Sequence, residues 1–143
     1  MKKISLILML FAVWSGFGQI DTSSTDPFVF IDEANTITET NKILALDYAE
    51  RALALALREK NERAEAYCYN TFGSINYSAS KYDLAIENFT KALNMFTALD
   101  EEKGKYLTLR YLAQSHEGNG NNQKAIDYYE KFVEAATAKG NDK

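Results

Sequence analysis

Alanine recurs in this chain at Ala45, Ala85 and Ala125, at a fixed offset of forty residues. The offset carries its neighbours with it. Leu46, Ile86 and Ile126 coincide, as do Arg51, Lys91 and Lys131, and then Leu53, Leu93 and Val133. Ala52 and Ala92 coincide, with Phe132 in the third place. An upstream half-repeat keeps the same offset: Tyr69, Phe72 and Gly73 fall against Leu109, Leu112 and Ala113. A period of this length marks an array whose units bury their apolar faces only by stacking on one another.

The spacing inside each half is helical. Residues three and four apart form one stripe through Tyr69, Phe72 and Asn76, and another through Ala85, Phe89, Ala92, Leu93 and Phe96. Breaks fall at Ser78-Ala79-Ser80 and Gly118-Asn119-Gly120-Asn121, and charged links at 58–63 and 100–104. Ser80 with Asp83 resembles a capping box, and Asp100 is placed to cap the helix after it. The pattern predicts helices over 28–38, 40–58, 62–78, 82–98, 102–118 and 122–138. One proline and seven glycines in 143 residues agree with long helices and few tight turns.

The first helix fits the register least well. It sets Asp32 and Glu33 against Phe72 and Gly73, the wrong chemistry for a buried pair. Asp26-Pro27 still makes a good helix start, and Phe28, Ile31 and Ala34 can face inward. Residues 26–58 are therefore read as a degenerate N-terminal repeat, with 26–38 acting as its cap. Full repeats follow at 59–98 and 99–138, and 139–143 is an inter-repeat link or tail.

Residues 1–18 stand apart. Lys2 and Lys3 precede a run from Ile4 to Trp14 that only Ser5 interrupts, and Ser15-Gly16-Phe17-Gly18 follows. This is the layout of a secretory signal peptide cut between Gly18 and Gln19, with 19–25 a linker. The run is shorter than the ~20 residues of a spanning helix. The alternative is an uncleaved anchor. No cysteine follows the run, which argues against a lipid-modified N-terminus. The mature chain is expected to be periplasmic or extracellular.

Loss of that segment removes two lysines and no acid, so the formal charge moves from −4 to −6. An acidic chain without clustered Lys and Arg is a poor partner for nucleic acid. Cys68 is the single cysteine, so no internal disulfide forms.

The two full repeats resemble the tetratricopeptide repeat (TPR). That family pairs a first helix carrying an aromatic, a Leu-Gly pair and a Tyr with a second carrying Ala-x3-Phe. Here Tyr69-x2-Phe72-Gly73-x2-Asn76 is followed by Ala85-x3-Phe89 and Ala92, and Leu109-x2-Leu112-Ala113-x2-His116 by Ala125-x3-Tyr129. The likeness covers about residues 40–138. The period exceeds the family's usual length of about 34 residues, and the closing proline is missing. Asn76 stands where the family has Tyr, and Phe132 where it has a small residue, which suggests a looser last crossing. The longer unit resembles repeats of exported and signalling bacterial proteins. The resemblance implies an all-α fold: antiparallel helix pairs stacked as a short right-handed α-solenoid, a TPR-like superhelix.

It also implies a protein or peptide partner on a concave face lined by the first helix of each pair. In register that face carries Tyr67, Asn70, Ser74 and Tyr77, then Leu107, Arg110, Gln114 and Glu117. Some family members clamp a peptide carboxylate there with Asn, Lys and Arg, and Asn70 and Arg110 match this in part. The plainer reading is a solvated polar face. Tyr67, Tyr69, Tyr77, Tyr106, Tyr111 and Tyr128 are interface anchors or half-buried packing residues.

No catalytic residues are expected. His116 stands at a packing position, and Ser115 beside it cannot form a triad because adjacent helix residues point apart. Cys68 lacks the basic neighbour that reactivity needs. Asp100-Glu101-Glu102 suits a helix start better than a cation. No spacing suggests a metal or a cofactor. Asn76-Tyr77-Ser78 and Asn88-Phe89-Thr90 match the glycosylation pattern inside helices and are read as chance.

The last helix carries Ile126, Tyr129, Phe132 and Val133, a surface that another helix would cover in a longer array. Three functions stay open. The chain is an exported interaction scaffold, the N-terminal sensory part of a longer membrane signalling protein, or a self-associating envelope protein stacked through its open C-terminal end on further repeats or a second copy.

Overall fold

A computed structural model describes residues 24–140; the expected signal peptide and its cut at Gly18–Gln19 lie outside them. Among the described residues six helices follow one another: α1 (Pro27–Ile37), α2 (Lys42–Glu59), α3 (Glu62–Ser78), α4 (Tyr82–Ala98), α5 (Glu102–Gly118) and α6 (Asn122–Gly140). No strand occurs among the described residues. Each helix packs on the next, and α3 also touches α1 and α5. The first helices of the pairs thus lie side by side. The result is an all-α, TPR-like solenoid.

The turns repeat every twenty residues. Lys60, Ser80, Asp100 and Gly120 all take a left-handed backbone, with φ of 53°, 57°, 53° and 76°. After each, an N–H reaches back to a carbonyl five residues earlier: Asn61 to Ala56, Lys81 to Asn76, Glu101 to Phe96 and Asn121 to His116, all at 2.8–2.9 Å. This is the Schellman closure of a helix C-terminus. It also corrects two expected caps. Ser80 and Asp100 serve as left-handed ends of α3 and α4 rather than as starts of the next helices. The N-cap positions of α4 and α5 belong to Lys81 and Glu101, which make no side-chain cap bond. Asp26, Asn41 and Asn61 do cap: their carboxylate or amide oxygens accept from Phe28, Leu44 and Ala64.

The core is built by pairing very small residues with aromatic rings. Ala85, Phe89 and Ala92 on α4 are wholly buried, and so is Leu112 on α5. Phe89 lies against Gly73 of α3 and stacks on Tyr111 of α5, with centroids 5.2 Å apart. Phe96 is buried with Ala66 and Ala92 and lies over Gly104. Ala49, Ala52 and Ala56 of α2 meet Ala64 and Cys68 of α3. Ala113, Leu109 and Ala125 are also buried, while Tyr69, Phe72 and Tyr129 are half-buried. Small residues let the axes approach; dispersion and apolar burial then act over many short contacts.

Phe132 has a physical reason. In the second repeat Ala66 and Ala92 are small and Phe96 fills the space between helices. Forty residues on, the same places hold Tyr106, Phe132 and Ala136. Phe132 packs on Tyr106 at a centroid distance of 4.5 Å. The aromatic volume has moved to the other positions, a swap that helix packing tolerates.

Candidate functional site

The helices α1, α3 and α5 enclose a groove of about 620 Å³. From α3 it receives Arg63, Tyr67, Asn70, Ser74 and Tyr77. Their alternating spacing of four and three keeps them on one face. α5 adds Lys103, Leu107 and Tyr111; α1 and the turn after it add Phe28, Ile31, Asp32, Asn35, Thr38 and Glu39.

One end is an ordered cluster. Arg63 Nε donates to Glu101 Oε2 at 2.7 Å, and the Tyr67 hydroxyl donates to Glu101 Oε1 at 3.3 Å. The guanidinium also lies over the rings of Phe28 and Tyr67, at 5.3 and 5.4 Å. Tyr67 meets Phe28 and Phe96 edge-on. The hydrogen bond from Arg63 holds the Glu101 carboxyl below its usual range, and Glu101 raises Arg63 in return. Burial, then the Glu101 charge, raises Tyr67. Farther along, Asn70 Nδ2 donates to Thr108 Oγ1 at 2.7 Å, tying α3 to α5.

Of the residues expected on the concave face, Tyr67, Asn70, Ser74, Tyr77 and Leu107 line this groove, and Arg110, Gln114 and Glu117 do not. Arg110 lies over the ring of Tyr111 at 5.0 Å. Glu117 accepts a hydrogen bond from Tyr129 of α6 at 3.0 Å. The groove therefore does not join Asn70 to Arg110 as a carboxylate clamp, and the Asn70 amide already has a partner. Arg63 and Lys103 were legible as a pair forty residues apart, one turn before Tyr67 and Leu107. The polar side of α1 was not, because that helix was read as an inward-facing cap.

The remaining reactive side chains pack. Cys68 is buried, and burial pushes its thiol up to about 12. His116 stacks on Tyr128 at 5.3 Å, and burial lowers it. Among the described residues no three His, Cys, Asp or Glu side chains converge as a metal site. No described helix is long and apolar enough to cross a membrane.

Fold and groove define a helical-repeat solenoid whose first helices share one concave surface. Among solved structures it is similar to the crystal structure of the TPR domain of Arabidopsis FLU, with a TM-score of 0.71 over 78% of this chain and 95% of that one. Identity is 18%, so the likeness speaks for the fold. No family model matches the chain, and no curated protein matches it significantly.

Proposed function

We propose that this protein is an exported, non-catalytic scaffold that binds a peptide or protein segment in the groove between α1, α3 and α5. The observation that carries the reading is the groove itself: three helices from three repeats present aromatic and polar side chains to one space. Tyr67, Tyr77, Tyr111 and Leu107 supply apolar contact, and Asn35 and Ser74 supply hydrogen-bonding groups, the mixture that peptide grooves use. The basic and apolar residues before Gln19 support export, and the forty-residue unit supports kinship with long-repeat exported arrays. A photo-crosslinking residue placed at Tyr77, compared with one at exposed Glu87, tests groove binding in cells. Crosslinked partners at Tyr77 alone support it; the same partners from both sites sink it.

A second reading rests on α6. Ile126 and Val133 are half exposed, and with Tyr129 they border a shallow depression of about 430 Å³. Further repeats, as in the sensory part of a longer membrane signalling protein, or a second copy would cover it. Sedimentation of the 19–143 chain at rising concentration, with Val133→Asp as control, tests self-association. Monomers throughout count against it, and a stop codon after Lys143 in the gene counts against the longer protein.

A further inference from the structure

The charges around the groove are unequal in a way that helix formation does not explain. Residues 24–41 hold Asp26, Asp32, Glu33 and Glu39 and no Lys or Arg. Asp32 and Glu39 line the groove, are exposed, and make no ion pair among the described residues. Acids near a helix N-terminus are stabilised by its dipole. Asp32 instead sits in the middle of α1, and Glu39 sits past its C-terminal end, where the dipole disfavours a carboxylate. Two cations, Arg63 and Lys103, face Asp32 and Glu39 across the groove, and Glu101 beside Arg63 adds a third acid. Arg63 is bound to Glu101. Of the two groove cations, Lys103 makes no ion pair among the described residues.

We infer that the groove takes a basic protein segment, whose Lys or Arg side chains pair with Asp32 and Glu39 while an aliphatic or aromatic side chain lies against Tyr67, Leu107 and Tyr111. The inference rests on the groove-binding reading and adds the charge of the partner. Asp32 lies on α1 and Glu39 in the turn after it, seven residues on, a separation of about 10 Å at the helical rise of 1.5 Å per residue. A helical partner meets them with bases two turns apart. An extended partner meets them with bases about three residues apart. Charge pairs at such a rim set partner choice and encounter rate more than total affinity.

The probes are two helix-forming peptides, identical except that two rim positions two turns apart are both Lys or both Glu, with Leu and Tyr on the face between. Binding to the 19–143 chain is read by fluorescence anisotropy. The Lys peptide is expected to bind about tenfold more tightly at low salt, a preference that shrinks toward 1 M salt as screening shortens to about 3 Å. The D32N/E39Q double variant is expected to lose the preference and keep the native helical circular dichroism. Equal binding of both peptides, a preference for the Glu peptide through Lys103, or a preference that survives the double variant overturns the inference and leaves groove binding standing. Binding of neither peptide overturns both readings.

Discussion

Phe89 of α4 lies face against Gly73 of α3, so close that a methyl group at position 73 would fall 2.6 Å from its ring. The contact joins the two halves of the middle repeat, and Tyr111 stacks on the ring's outer face. Gly73→Ala is therefore expected to destabilise the protein by about 1–3 kcal/mol through overpacking. Ala85→Leu, at a wholly buried site, is expected to cost more than Phe89→Leu, which keeps most of the ring's volume. Urea unfolding orders the three variants. A neutral Gly73→Ala would mean that α3 and α4 pack farther apart.

The turns give a second set of outcomes. Lys60, Ser80 and Asp100 hold left-handed backbone that costs a residue with a Cβ about 1–2 kcal/mol. Glycine removes that cost and brings back some chain entropy. Lys60→Gly, Ser80→Gly and Asp100→Gly should each stabilise by a few tenths to about 1 kcal/mol, and Gly120→Ala should destabilise by a similar amount. Thermal midpoints check the signs.

His116 predicts an acid-sensitive contact between α5 and α6. Burial first, and the charge of Lys124 second, lower it from the ordinary 6.5. Above that value it is neutral in folded and unfolded chains alike, so it has no effect. As pH falls through 6.5 the unfolded chain takes up the proton first, and stability declines until the native imidazole also charges. Unfolding of wild type and His116→Phe at about pH 7.5 and about pH 5 measures the difference. Equal pH dependence of the two proteins would refute the contact's role.

Arg63, Glu101 and Tyr67 predict a loss of the same sign at lower pH, from a carboxylate. The folded value of Glu101 is depressed, so its stabilisation is present above 4.5 and fades as pH falls below it. Arg63 is exposed and Glu101 half-buried at the surface, and about 0.2–1 kcal/mol is the expected coupling. A double-mutant cycle with Glu101→Gln and Arg63→Met reads it, at neutral pH and again in acid. Zero coupling at neutral pH would leave the cluster without energetic weight.

Much of the fold was legible in the residues because helix packing repeats what it needs. The recurrence of Ala45, Ala85 and Ala125 at a forty-residue offset, with helical spacing on either side, placed six helices within a few residues of where they lie among the described residues. The groove was legible in part. Tyr67, Asn70, Ser74 and Tyr77 share one helix face, which spacing alone reveals. Arg110, Gln114 and Glu117 share the equivalent face of α5 and yet do not line the cavity; for Glu117 the reason is Tyr129, a contact between different helices.

Periodicity by itself determined that this chain makes antiparallel helix pairs, because a 3.6-residue pattern with small residues at fixed places has few other ways to bury its surface. Tertiary structure alone decided which faces meet. It turned Asp32 of α1, out of place in the repeat when read along the chain, into part of one wall of the groove. It also made Ser80 and Asp100 the ends of helices rather than their beginnings. The physical reason is common to both. A helix pattern records which side chains share a face, whereas the partner of that face depends on crossing geometry and on turns that are set only when the whole stack closes.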